Sequence, residues 1–198
     1  MASPRGTAPS RFGRVRWSRF AITLVPVIGL AVMLVLLSTQ AVLAVSLSIS
    51  GEPFTVTAAR LTGFGFEQFP VVDHSPAKSH ISLEATAIRS AEITDLCQSI
   101  RVAGLTMVIK AGGGGTPVSA TNLVVDANKF SGNASFTHLS QGVNASALNE
   151  VPSIKGPSGA FSLEASKVTI TDLRQHAYAT TAGTFTLPGF SLNFGGGC

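Results

Sequence analysis

The chain has 198 residues and a formal net charge of +4, but the charges are unevenly distributed. Five arginines and no acidic residue lie in the first nineteen positions, whereas positions 45–198 hold nine basic and ten acidic residues. A nearly neutral domain lacks the clustered basic surface that nucleic-acid binding requires, so we predict no nucleic-acid partner.

Residues 1–44 have the pattern of an export leader. The arginine-rich start precedes a predominantly apolar run at residues 21–37, and small residues follow in the segment AVLA. This order predicts a signal peptide cleaved between Ala44 and Val45. The alternative is an uncleaved membrane anchor, a hydrophobic helix with its arginines in the cytoplasm. Both interpretations export residues 45–198, which are then secreted or held on the outer face of the cytoplasmic membrane.

The exported part, residues 45–198, is long enough for one domain with a sizeable core. The chain has two cysteines, Cys97 and Cys198, and both lie in this part. In an oxidising compartment an isolated pair predicts a disulfide. Neither cysteine belongs to a CxxC pair or a Cys/His cluster, which makes a reactive thiol or a metal site the weaker interpretation. A free Cys198 that joins two chains is the remaining alternative.

Short runs of β-branched and apolar residues alternate with Gly, Pro, Asn and Ser after the leader, so we predict an all-β domain. One pattern recurs four times: apolar, any, apolar, any, Ala, any, any, apolar. The copies begin at Phe54, Ile81, Leu123 and Phe161. The three-residue step after each Ala predicts a bulge or bend that returns the next apolar residue to the same face.

The spacing of these copies is irregular, which favours bent strands over a regular repeat array. We therefore predict a single sandwich, roll or barrel-like domain, with a β-solenoid as the second choice. Two copies extend further, since SLEA is followed by ITDL both after Ser82 and after Ser162.

No residue group in the sequence supports a particular chemistry, so we predict no catalytic residues, no metal and no cofactor. The chain lacks the GxSxG motif that exposes a nucleophilic serine in α/β-hydrolases. Asp73, His74 and His80 could supply three metal ligands, but spacing places no fourth, and a polar loop explains them more simply. His138 and His176 stand alone in strand-like segments, where hydrogen-bonded structural roles are expected.

Twelve phenylalanines against one tyrosine and one tryptophan give the domain an apolar excess. Phe64, Phe66 and Phe69 crowd a glycine-containing segment, GFGFEQF. These rings are either ordinary core residues or an apolar binding face for an acyl chain or a membrane-protein partner.

Several segments together resemble a known family. They are FTVTAARLTGFGFEQ from Phe54, SAEITDLCQS from Ser90, NLVVDA from Asn122, and HAYATTAGTFTLPG from His176, followed by Cys198. The chain resembles exported actinobacterial proteins of uncharacterised function, which are often labelled cholesterol esterase by automatic transfer. The resemblance implies a Gram-positive cell envelope and, from the neighbouring genes of the family, a small multi-pass membrane protein as partner. It supplies no catalytic residues, because the nucleophile that the esterase label requires is not identifiable here.

The function that we predict is a non-enzymatic cell-envelope β-domain that binds a lipid or a membrane-protein partner through an apolar face. The alternatives are a lipid-ester hydrolase of cholesterol esterase type and a self-assembling structural surface protein. A Ser–His pair oriented by a carboxylate would favour the hydrolase, and an apolar tunnel would favour lipid binding. A solid core with phenylalanine-rich exposed edges would favour a partner or assembly.

Overall fold

The computed structural model describes residues 52–73, 81–102 and 104–198, which belong to one compact unit. Within these ranges the chain forms nine antiparallel strands and one 3-10 turn, Ala145–Ala147. The strands are β1 (Phe54–Asp73), β2 (Ile81–Thr94), β3 (Leu96–Val102), β4 (Leu105–Ala111), β5 (Val118–Thr137), β6 (Ser140–Asn144), β7 (Phe161–Thr181), β8 (Thr184–Thr186) and β9 (Ser191–Phe194).

The predicted leader, its cleavage site at Ala44 and Val45, and the N-terminal hydrophobic helix lie outside the described residues. So do His74 and His80. Among the residues that the structure does describe, no helix is long and apolar enough to cross a membrane.

Four long strands, β1, β2, β5 and β7, form a ring. β1 pairs with β2 on one side and with β7 on the other, while β5 pairs with β2 through its first half and with β7 through its second half. Residues 124–127 of β5 pair with both neighbours, and the register with β7 shifts in the same region, between Asp126 and Lys129. The predicted single all-β domain, given as a sandwich, roll or barrel, is confirmed: all described strands belong to one antiparallel sheet with a ring of four strands, which differs from the β-solenoid of the second choice.

The four copies of the sequence pattern lie on the four ring strands. In three of them the small residue, Ala58, Ala127 or Ala165, is buried in the main core, and the apolar residue three positions later also packs there. The β2 copy differs: Ala85 packs in a second cluster with Phe69, Ala145 and Leu148, whereas Ile88 belongs to the main core. The predicted return to one face therefore holds for three copies and fails for the fourth.

The sheet continues beyond the ring through β3, β4 and β9. Asp95, at a left-handed φ of 51°, separates β2 from β3, which pairs with the start of β1 and then with β4. β9 adds to the free side of β4 and is the last strand of the sheet. This extension has one face that continues the ring interior and an opposite, outer face.

The predicted disulfide is confirmed. Cys97 on β3 is bonded to Cys198, with an S–S distance of 2.07 Å and a Cα–Cα distance of 5.8 Å. The bond fixes the segment after β9 against the outer face of the extension, where the Cys198 N–H also donates to Ser99 Oγ at 3.4 Å. A disulfide of this kind is typical of an oxidising, extracytoplasmic compartment.

Candidate functional site

The extension of the sheet presents a continuous row of apolar side chains across four strands. Phe54 on β1 is paired with Ile100 on β3, Ile100 with Met107 on β4, and Met107 with Phe194 on β9. Directly opposite residues of an antiparallel pair share a face, and so do residues two apart on one strand. We define the apolar face by these residues and their alternating apolar neighbours: Phe54, Ile100, Val102, Leu105, Met107, Ile109, Leu192 and Phe194.

The outer part of the apolar face is open to solvent. Phe194 is 68% exposed, Leu105 62% and Leu192 44%, and Phe190, just before β9, is also exposed. The charged residues of β3 and β4, Arg101 and Lys110, alternate onto the opposite face. The edge strand β9 carries no charge and presents Leu192 and Phe194 on the apolar face, whereas edge strands of soluble proteins are commonly protected by charged side chains.

The three phenylalanines singled out in the sequence do not lie together. Phe66 is 1% exposed and belongs to the main core, and Phe69 is buried in the second cluster. Only Phe64 is exposed, with Lys167 Nζ 5.3 Å from its ring centroid. Gly65, at a left-handed φ of 69°, interrupts the strand alternation and places Phe64 and Phe66 on opposite sides.

The interior of the ring has little free space. An apolar cavity of about 30 Å³ lies among ten or so side chains, including Leu61, Leu173 and Phe185. Binding pockets for small organic ligands measure roughly 300–1,000 Å³. This cavity is therefore too small for an acyl chain. A larger depression of about 530 Å³ between β1, β2 and β5 is lined by polar and charged side chains, including Gln68, Glu84 and Lys129, so the exposed apolar face is the better candidate for binding an apolar ligand.

A buried carboxyl group fastens the segment between β6 and β7 to the ring. Glu67 is fully buried, and its Oε1 accepts a 2.7 Å hydrogen bond from the Val151 N–H, while Oε2 has no hydrogen-bond partner among the described residues. Glu164, paired with Glu67 across the strands, accepts from the Asn149 N–H. Burial raises the pKa of Glu67 above its usual 4.5; Glu164 adds to this effect, and the Val151 N–H and Lys155 oppose it.

Among the described residues, one serine and one histidine lie within hydrogen-bonding distance of each other, but their arrangement does not suit nucleophilic catalysis. His138 Nδ1 is 3.0 Å from Ser166 Oγ. Ser166 Oγ donates its single hydrogen to the carbonyl oxygen of Thr137, also at 3.0 Å. Since the hydroxyl hydrogen is already used, the imidazole must donate to Oγ, which is the reverse of the proton transfer that activates a serine.

The described residues contain no group of three or more His, Cys, Asp or Glu side chains that could hold a metal ion. His138 and His176 each contact a neutral polar side chain, Ser166 and Asn128 respectively. These contacts match the hydrogen-bonded roles expected from the sequence.

These features define a small all-β domain in which a four-strand ring is extended by a disulfide-tethered sheet with an exposed apolar face. Residues 50–198 match the model of a family of unknown function, DUF6230, and the chain belongs to that family. No curated protein matches the sequence, and no solved structure matches it.

Proposed function

We propose that this protein is a non-enzymatic cell-envelope domain that binds a lipid or a membrane-protein partner through the apolar face. The observation that carries the proposal is the row of exposed, uncharged side chains on β4 and β9, ending in Phe194. The leader pattern and the disulfide support export, and the resemblance to exported actinobacterial proteins supports a place at the outer side of the cytoplasmic membrane.

The size of the apolar face suits a modest, reversible interaction. Full burial of a leucine or phenylalanine side chain contributes about 1.5–3 kcal/mol. Leu105, Leu192 and Phe194 are already partly covered in the free domain. Covering their exposed parts would contribute on the order of 3–5 kcal/mol before the cost of association. A second source of affinity, such as a membrane tether or a polar contact, would strengthen the binding.

The two alternative functions, a lipid-ester hydrolase and a self-assembling surface protein, make different demands on the structure. A lipid-ester hydrolase built on the Ser166–His138 pair would need Ser166 to be activated, and the hydrogen bond from Ser166 to the Thr137 carbonyl opposes that. A self-assembling surface protein would pair β9 of one copy with β9 of another, because the strand is an unprotected sheet edge.

The test is to replace Leu192 and Phe194 together by serine in the protein purified from its own host, and to record native mass spectra. We expect the unmodified protein to retain a lipid or a membrane protein and the Leu192→Ser/Phe194→Ser variant to lose it. The matched control is Phe161→Ser, since Phe161 is 62% exposed but lies at the start of β7, beside β6.

An unmodified protein that is a bare monomer would refute the proposal, as would a retained ligand that the double variant keeps. A homo-oligomer that the double variant dissolves would instead favour self-assembly. Loss of the ligand in Phe161→Ser to the same extent would show that the effect is not specific to the apolar face.

A further inference from the structure

The outer face of the ring carries a cluster of basic side chains on adjacent strands. Along β7 the residues Leu173, Gln175 and Ala177 are buried, so Arg174 and His176 alternate outward. His176 is paired with Thr55 on β1 and with Lys129 on β5. The ladder thus brings two cationic side chains and an imidazole together from segments that are distant in sequence.

These side chains surround a depression of about 250 Å³. It is lined by six residues, none of them acidic: Thr55, Lys129, Ser131, Arg174, Gln175 and His176. The domain as a whole is nearly neutral, with nine basic and ten acidic residues in positions 45–198. A depression with two permanent cations and no lining acid is therefore a local positive excess, which attracts anions.

The imidazole of His176 is held in place by a second layer of contacts. Its Nδ1 lies 2.9 Å from Asn128 Oδ1, and Asn128 Nδ2 donates to the Tyr178 hydroxyl at 3.2 Å. Since an amide oxygen only accepts, Nδ1 carries a proton, and the Nε2 of the neutral ring is an acceptor that suits the hydroxyl of a protonated phosphate; Nε2 donates to a phosphate oxygen only when the ring is doubly protonated. The Tyr178 ring meets the imidazole edge-on, with centroids 5.8 Å apart. Such support fixes the side chain before any ligand arrives.

The Arg174 guanidinium makes a long hydrogen bond to the last residue of the chain. One of its nitrogens, Nη2, makes a long 3.4 Å contact with the carbonyl oxygen of Cys198. A guanidinium has five N–H donors in a planar fork that fits the oxygens of a phosphate group, and an ammonium adds a compact charge with three more. With the Thr55 hydroxyl, the depression offers more donors than the two oxygens of a carboxylate can use, which favours phosphate.

We infer that this basic depression, formed by Lys129, Arg174 and His176, binds a phosphate group. The phosphate belongs to either a lipid headgroup or a soluble phosphate ester, and both present the same oxygens to these donors. The site lies on the outer face of the sheet, opposite the apolar face, so it extends the proposed function and does not depend on it.

The test uses the protein as its host exports it, titrated with inorganic phosphate and with glycerol 3-phosphate while backbone amide NMR shifts are followed. We expect saturable shifts centred on Thr55 and His176. Each of the variants Lys129→Gln and Arg174→Gln should weaken binding by about three- to ten-fold, as expected for partly exposed charge-assisted contacts. The matched control is Lys167→Gln, which removes a cation from beside Phe64 and should leave the affinity unchanged.

Vesicles distinguish the two sources of phosphate. Binding to vesicles that contain phosphatidylglycerol, lost in Arg174→Gln, would identify a lipid headgroup, whereas binding to the soluble esters without binding to vesicles would identify a soluble ligand. The inference is overturned if shifts do not saturate, if they spread over all basic side chains, or if Lys129→Gln and Arg174→Gln bind as tightly as Lys167→Gln. The Leu192→Ser/Phe194→Ser variant should bind inorganic phosphate as tightly as the unmodified protein. The proposed binding at the apolar face and the proposed phosphate site can therefore be refuted independently of each other.

Discussion

Glu67 shows how one side chain links the stability of this domain to pH. In the unfolded chain its carboxyl has its usual pKa of 4.5, whereas burial raises the pKa in the folded protein. The folded state therefore holds a proton that the unfolded state has released at the same pH. The stabilisation is complete below pH 4.5 and is lost as the pH rises through the folded pKa.

Replacement of Glu67 by glutamine should remove the loss of folding stability that occurs as the pH rises. The amide keeps an oxygen that can accept a hydrogen bond from the Val151 N–H, but it carries no charge. As the pH rises above 4.5, the free energy of unfolding of the unmodified protein should therefore fall relative to that of Glu67→Gln. Denaturant unfolding at a series of pH values measures this difference. The control is Glu92→Gln at an exposed position. A difference that does not change with pH, or that Glu92→Gln reproduces, would show that Glu67 is not the cause.

Among the elements, the ring strands could be predicted from the sequence, because each carries its own local pattern of apolar residues and Ala. The repeated segment ITDL also has a structural counterpart. Arg60 on β1 is paired with Thr94 on one side and with Thr171 on the other, and Asp95 and Asp172 both adopt a left-handed φ. The two copies of ITDL therefore flank β1 on its two sides.

Other parts of the structure could not be predicted because they depend on contacts between distant segments. Ala85 faces the second cluster since Ala145 and Leu148, some sixty residues later, cover it there. The apolar face likewise combines Phe54 with the far end of the chain at Phe194. Its only local signal was the alternation in FSLNF, which is too short to distinguish an exposed edge from a buried strand.

Gly63, near the middle of β1, allows a prediction about how tightly the ring strands pack. It is paired with Ala91 on β2 and Val168 on β7, and an added Cβ would lie 2.8 Å from Ile88 Cγ2 and 3.1 Å from Val168 Cγ1. Gly63→Ala should therefore lower the free energy of unfolding by about 1–3 kcal/mol through overpacking.

Chemical denaturation checks the Gly63→Ala prediction against Gly113→Ala. An added Cβ at Gly113 would meet only Asp95 Oδ1, at 3.6 Å, so that variant should stay within about 0.5 kcal/mol of the parent. Equal stability of the two variants would mean that the ring strands can separate enough to admit a methyl group.

At the scale of the whole molecule, the disulfide joins residues 101 positions apart and so closes most of the described chain into one loop. In the chain-entropy model, closure of a loop of about 100 residues stabilises the folded state by about 4.7 kcal/mol through the unfolded chain. The bond also has a local effect, since Cys198 follows β9, whose four residues pair with β4 and with no other described strand.

The Cys97→Ser/Cys198→Ser variant should therefore lose about 3–5 kcal/mol of unfolding free energy, and each single variant should lose nearly as much, because either one opens the loop. Denaturant unfolding measures the global loss, and amide hydrogen exchange locates it. If entropy of the unfolded chain dominates, exchange should accelerate throughout the ring strands. If the bond acts mainly by holding β9, faster exchange should be confined to β4 and β9 and the global loss should be small. Unchanged unfolding in all three variants would contradict both accounts, because the pairing of β9 with β4 would then hold the apolar face in place unaided.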